Sequence, residues 1–210
     1  MIFALVPAAG KSARMGRPKL SLPLGDRTVL EWVVVRLRQG GVEKILVVLG
    51  PHVRELGPLA ESAGAAALVL RDETPDMRTT VQCGLDWLEA NYHPQADDSW
   101  LLVPADHPTL SACDIRQLLN ARLQHPQASI VIPTYDGQRG HPAVIAWKHV
   151  AGIRALQPDH GLNAYLRLHA IETLELPVDS AHVLCDLDTL EDYERLREGF
   201  ASNMGDSGAS

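Results

Sequence analysis

The chain has 210 residues and a formal net charge of −7, so it lacks the overall basic surface that general nucleic-acid binding needs. Apolar residues make up 46% and charged residues 21%, which excludes a disordered chain and supplies the core of one generous domain. The three cysteines, Cys83, Cys113 and Cys185, are odd in number, widely spaced and free of any CxxC, which excludes a disulfide framework or a zinc knuckle and reads as free thiols in a reducing cytosol.

The first segment, Met1 to Ala9, is apolar but short, with no basic region ahead of it, so it does not read as a signal peptide. No apolar run is long enough to span a membrane, and a cytoplasmic protein is expected. Ile2–Val6 is a buried strand that stops at Pro7. Thr28–Arg38 places Val29, Val33 and Leu37 on one helical face, and Gly40-Gly41 ends it. Lys44–Leu49 is a second strand, Val53–Ser62 is helical, and Ala66–Leu70 is a third strand. Thr80–Asn91 is a helix and Trp100–Val103 a fourth strand. Ser111 caps a helix reaching about Gln124, with Asp114 three residues on. Ser129–Ile132 is a fifth strand ended by Pro133. The rhythm then breaks: Thr134–Ala146 reads as a turn and an extended segment. A last strand lies near Glu172–Leu176, a helix covers Leu190–Phe200, and residues 201–210 read as a frayed tail. Near-continuous apolar strands alternating with helices predict a single α/β domain over residues 1–200 with a mainly parallel sheet.

In such sheets ligands bind outside the carboxyl ends of the strands. Four polar features lie there. The first is the loop after strand one, where Gly10 and Gly16 let the backbone approach a ligand and Lys11, Arg14 and Lys19 can neutralise phosphate charge. It is not a P-loop, because the first glycine would fall at Leu5. It is not a dinucleotide fingerprint, because Ser12 stands where the second glycine belongs. The second is Pro104-Ala105-Asp106-His107-Pro108. Asp106 is suited to Mg²⁺, which takes one or two carboxylates plus phosphate oxygens and water, and equally to capping a turn. The third is Cys185-Asp186-Leu187-Asp188-Thr189. Asp186 or Asp188 could be a second metal carboxylate, while Asp188 or Thr189 could cap the last helix with Asp192 in its first turn. The fourth is Gly137-Gln138-Arg139-Gly140-His141-Pro142, a polar loop suited to substrate contact. None of the nine histidines lies in an HExxH cluster, so zinc catalysis is not indicated.

Together these motifs resemble the MobA/MocA-like NTP-transferase family, in its molybdenum cofactor cytidylyltransferase branch. Ala8, Ala9, Gly10, Ser12, Arg14, Met15, Gly16 and Lys19 match the loop A-(A/G)-G-x-S-x-R-M-G-x-x-K. Asp106-His107-Pro108 is similar to the family's G-D-x-P, and Asp186 to Tyr193 to its closing D-I-D-T-P-E-D-Y. Asp76 to Val81 echoes G-M-x-S-S-L, and the Gly137–Pro142 loop resembles a substrate-side motif. The resemblance implies a Rossmann-like three-layer sandwich of the nucleotide-diphospho-sugar transferase type. It implies nucleotidyl transfer from a nucleoside triphosphate to a phosphorylated pterin-type acceptor, with a molybdoenzyme as a possible recipient. By the same resemblance the nucleotide contacts are Ala8, Ala9, Gly10, Ser12, Arg14, Gly16, Lys19, Asp72, Thr79 and Thr80. Arg14, Lys19 and Asp106 carry the reaction, Asp106 and Asp188 hold Mg²⁺, and Arg139 and His141 meet the acceptor. The Ala8-Ala9-Gly10 form favours CTP over GTP, since guanylyl relatives usually carry A-G-G. Ala105, His107, Asp76 and Arg78 depart from the family pattern and bear on the acceptor more than on the reaction. Sugar or isoprenoid-precursor phosphates are alternative acceptors, and a non-catalytic cofactor carrier is the alternative of another class.

Overall fold

A computed structural model describes residues 1–10, 18–157 and 160–205. Strand β1 (Ile2–Ala8) explains the layering. Phe3 and Leu5 point to one face, Ala4, Val6 and Ala8 to the other, and all five are buried. A strand apolar on both faces needs helices on both.

The chain continues through a small antiparallel ribbon, β2 (Pro23–Leu24) and β3 (Arg27–Thr28), into α1 (Val29–Gln39), β4 (Lys44–Leu49), α2 (Gly57–Ala63) and β5 (Ala66–Val69). Then come α3 (Met77–Tyr92), β6 (Ser99–Leu102), α4 (Ala112–Gln124), β7 (Ile130–Tyr135), β8 (Gln138–Arg139) and β9 (Ala143–Ala146). Helices α5 (Val150–Arg154) and α6 (Leu162–Leu168), strand β10 (Thr173–Pro177) and helix α7 (Leu190–Gly205) complete the fold. The main sheet runs β10-β7-β9-β6-β1-β4-β5, with β8 paired to β7. It is parallel except around β9, which lies antiparallel between β6 and β7, and at the β7–β8 hairpin. Helices α1, α2, α4 and α7 pack on the face of Val6, and α3, α5 and α6 on the face of Leu5. This is the expected α/β sandwich. Among the described residues no helix is long and apolar enough to cross a membrane.

From β1 the chain moves outward to β4 and β5, then returns to β6 on the opposite side of β1. The crevice at the carboxyl ends of β1 and β6 is therefore the switch point where ligands bind in open α/β sheets.

Two strands run through a proline that the sequence reading took as a stop. Pro7 still pairs with Val48 of β4, whereas the β1–β6 ladder has ended at Leu5–Leu102, so its missing N–H falls where no partner is needed. Pro133 lies between the part of β7 paired with β9 and the part paired with β8. The expected turn is a two-residue hairpin loop, Asp136-Gly137, with φ of 48° and 73°. Helix α3 starts three residues before Thr80, because Asp76 caps it by accepting from Thr79 N at 2.7 Å. The Val53–Ser62 helix divides into a 3₁₀ stretch, Pro51–Leu56, and α2.

A buried polar chain lies away from the crevice. The Tyr165 hydroxyl is 3.0 Å from His149 Nδ1, Ser129 Oγ is 2.7 Å from His149 Nε2, and Ser129 donates to Glu172 at 2.8 Å. Lys148 also reaches Glu172, at 2.6 Å. Burial holds His149 down at about 4, with His169, Lys148 and Arg122 adding to the effect against Glu172. A histidine neutral in the fold stabilises it fully above its unfolded pKa near 6.5 and loses that contribution as pH falls toward 4. Stability should therefore fall between pH 6.5 and 4, with His149 contributing roughly 2 kcal/mol of the loss. In His149→Gln, urea midpoints measured across this window should fall less steeply. Parallel curves for the two proteins would contradict the assignment.

Candidate active site

A cleft of about 630 Å³ opens at the switch point. One wall is the backbone of Ala8, Ala9 and Gly10, continuing straight out of β1. A carbon added at Gly10 would meet none of the described residues within 4 Å. The opposing wall is the start of α3, with Asp76, Met77 and Thr80, preceded by Glu73 and Thr74. His52 follows β4 and lies with Nε2 3.4 Å from the Gly10 carbonyl oxygen. Ser12, Arg14 and Gly16 lie outside the described residues.

The floor is built by three segments far apart in sequence. Pro18 is extended, and Lys19–Ser21 forms one 3₁₀ turn anchored by buried Leu20, which directs Lys19 inward. Asp106 follows β6, whose exit is held by Val103 N donating to Leu5 O at 3.0 Å. Buried Leu187 donates from its backbone N to the Asp106 carbonyl oxygen at 2.9 Å, tying the third segment to the second. The result is one convergent centre. Lys19 Nζ donates to Asp106 Oδ2 at 2.7 Å, to the Leu187 carbonyl at 2.9 Å and to Asp188 Oδ1 at 3.2 Å. Burial opposes the Lys19 charge, but the hydrogen bonds and charges of Asp106 and Asp188 outweigh it and hold its pKa above the ordinary value.

The second carboxylate is Asp188 and not Asp186, which is exposed and outside the cleft lining. The two differ because buried Leu187 fixes the segment, while Thr189 takes over the helix cap. Thr189 Oγ1 accepts from Asp192 N at 3.2 Å, and Asp192 accepts from Thr189 N at 2.8 Å. Asp188 is thereby left to face the cleft. Two carboxylate oxygens that converge on one ammonium can converge on one hard divalent cation, leaving places for phosphate oxygens and water. Among the described residues no group of three or more His, Cys, Asp or Glu is placed to hold a metal.

His107 is buried, with Nε2 3.9 Å from Asp106 Oδ1, and its ring meets His141 edge-on at 5.2 Å. Burial lowers both pKa values, and the His141 value reaches about 4. Each therefore stands neutral at pH 7, with a buried Nδ1 that has no hydrogen-bond partner among the described residues. His141 lines a second cavity of about 430 Å³ with Arg78, His160 and Asn163. The two cavities share Asp76, Met77 and Pro104, so they adjoin beside Asp106.

Other sequence-predicted positions lie elsewhere. Asp72 is exposed and outside both linings. The Thr79 hydroxyl is spent on Asp76 at 2.8 Å, whereas buried Thr80 lines the cleft and pairs with the Thr74 hydroxyl at 2.6 Å. Arg139 turns to the sheet edge, with Nε and Nη2 on Glu175 Oε1 at 2.8 and 2.6 Å. Sequence reading missed His52 and Thr74. The position of His52 directly after β4 was the usable signal, since it too is a strand's carboxyl end.

Comparison with known proteins agrees with this geometry. The model of the MobA-like NTP transferase domain matches residues 4–175. The molybdenum cofactor cytidylyltransferase of Escherichia coli K12 is 22% identical over 200 residues, covering 95% of this chain and 97% of that one. A molybdenum cofactor guanylyltransferase of Cereibacter sphaeroides is 33% identical over 153 residues, 70% of this chain and 68% of that one. The nicotine blue oxidoreductase of Paenarthrobacter nicotinovorans is 26% identical over 203 residues, 93% and 96% of the two chains. The structure of Rv0371c from Mycobacterium tuberculosis H37Rv superposes with a TM-score of 0.76 at 27% identity, covering 94% and 98%. A further structure of that protein, in complex with manganese, gives 0.70 at 26% identity, covering 94% and 97%. The chain belongs to the MobA-like NTP transferases and is a nucleotidyltransferase.

Proposed function

We propose that the protein transfers CMP from CTP to the phosphate of a pterin-type acceptor and releases pyrophosphate, using Mg²⁺ held by Asp106 and Asp188. The observation that carries this reading is the convergence of Lys19, Asp106 and Asp188 where the two cavities adjoin. The reading places the nucleotide in the larger cavity, against Ala8, Ala9, Gly10 and Thr80. The acceptor enters the smaller one, beside His141.

In the reaction, an oxygen of the acceptor phosphate forms a bond to the α-phosphorus. The bond from that phosphorus to the bridging oxygen breaks, and its electron pair leaves with pyrophosphate. An ionised acceptor phosphate has no proton to remove, so no general base is required. Two anions must meet, and the barrier is largely electrostatic and positional. Lys19 and Arg14 offset charge on the transferring and leaving phosphates. A bound Mg²⁺ supplies charge neutralisation and orientation for phosphate oxygens. Asp106 and Asp188 are the residues that would hold it, and the manganese complex of Rv0371c supports a divalent cation here. The Ala8-Ala9-Gly10 form and the full-length cytidylyltransferase relative support CTP. Ser12, at the second glycine of a dinucleotide fingerprint, speaks against carrying the oxidoreductase name of the third relative to this chain.

The test is pyrophosphate release from CTP or GTP with Mg²⁺ and either molybdopterin or an isoprenoid-precursor phosphate. CTP with molybdopterin should turn over fastest. Preference for GTP would overturn the base, preference for the other acceptor would overturn the pterin, and tight binding without release would point to a carrier.

A further inference from the structure

We propose that Lys19 is the resident counter-ion of the Asp106–Asp188 pair, and that a divalent cation gains its full affinity only when a nucleoside triphosphate draws Lys19 away. This rests on the metal centre proposed above.

An ammonium has three N–H donors. Among the described residues Lys19 donates to three acceptors of the centre, Asp106, the Leu187 carbonyl and Asp188. Lys19 therefore does not wait in open space for a phosphate. It sits on the oxygens that a cation would need. A monovalent ammonium and a dication cannot share two carboxylate oxygens at hydrogen-bond distance without strong repulsion in a half-buried site. The side chains of Lys19 and Asp106 are only 17% and 22% exposed, so water screens them little.

The charge count gives the coupling. Among the described residues of the centre, two carboxylates and one ammonium leave a single negative charge. Adding a dication alone would make the centre positive and would orphan the ammonium. Adding a dication with a triphosphate supplies new acceptors for Lys19 and restores a net negative balance. The geometry permits the exchange. The Lys19 backbone is fixed by buried Leu20 and by Leu22 N donating to its carbonyl at 3.3 Å, while the four-carbon stem can swing. The cleft beside it is continuous with the Ala8–Gly10 wall.

The experiment measures Mn²⁺ binding to the full chain by electron paramagnetic resonance, with and without the non-transferable analogue α,β-methylene-CTP, after correction for Mn²⁺ held by free analogue. Wild type should bind Mn²⁺ at least tenfold tighter with the analogue than without it. Lys19→Met and Lys19→Gln should bind Mn²⁺ alone at least tenfold tighter than wild type, with the analogue's enhancement reduced. Two variants guard against one that fails to fold, as judged by circular dichroism. Equal nucleotide-free affinity in wild type and both variants would overturn the counter-ion role. The metal centre itself fails on a different result, namely Mn²⁺ binding to Lys19→Met that survives the added Asp106→Asn and Asp188→Asn substitutions.

Discussion

Asp106→Ala should lower kcat by about a thousandfold or more, since removing several kcal/mol of charge stabilisation from the reacting phosphates costs a factor of ten per 1.4 kcal/mol. The fold should survive. The backbone carbonyl of Asp106 still accepts from Leu187 N, and that contact, independent of the carboxylate, holds the two segments together. Lys19 would keep the Leu187 carbonyl and Asp188 as acceptors. A thermal melt within a few degrees of wild type, with turnover near background, is the expected pair of results. Turnover close to wild type would remove Asp106 from the centre.

Gly140→Ala should damage both stability and turnover, although Gly140 lines neither cavity. An added carbon would lie 2.5 Å from the Val183 carbonyl oxygen and 2.9 Å from its carbon. These are backbone atoms and cannot rotate away. The close approach exists because His141 N donates to the same carbonyl at 2.8 Å. Forcing these two segments apart would shift the Ala181–Leu184 turn, and with it Leu187 and Asp188. Overpacking of this kind costs about 2–3 kcal/mol, which corresponds to a melting shift of roughly 5–10 °C for a chain of this size. A tenfold or greater fall in kcat should accompany it. Gly10→Ala is the control for stability, because its added carbon meets none of the described residues within 4 Å and should leave the melt unchanged. An unshifted melt for Gly140→Ala would contradict the steric account.

Most of the sheet was legible because its main buried strands are short apolar runs and two of the longer helices announce their starts. Ser111 with Asp114 and Thr28 with Glu31 form reciprocal caps where acidic and hydroxyl residues stand three apart. The prolines misled because a strand needs its N–H only where a neighbour pairs: Pro7 falls beyond the end of the β1–β6 ladder, and Pro133 between the parts of β7 that pair with β9 and with β8. Helices α5 and α6 escaped because 5 and 7 residues carry too few turns for a periodic signal.

The site divides in the same way. Its residue types were visible in motifs, but its central contacts join Lys19 to Asp106, 87 residues away, and to Asp188, 169 away. No local pattern encodes that Lys19 rests on the carboxylates. The departures from the family pattern now have local reasons. Asp76 is extended, at φ −154°, and caps α3 where a glycine would supply no cap. Ala105 is not among the positive-φ positions, so a methyl group there causes no backbone strain. His107 packs edge-on against His141, which lines the smaller cavity.

The most direct test of the central claim follows the label in CTP carrying ³²P at the α position, with Mg²⁺ and molybdopterin. Attack at the α-phosphorus predicts label on the acceptor and unlabelled pyrophosphate in equal amount. Label recovered as CDP or CMP with inorganic phosphate, or left in unreacted CTP, would contradict nucleotidyl transfer at the Lys19–Asp106–Asp188 centre.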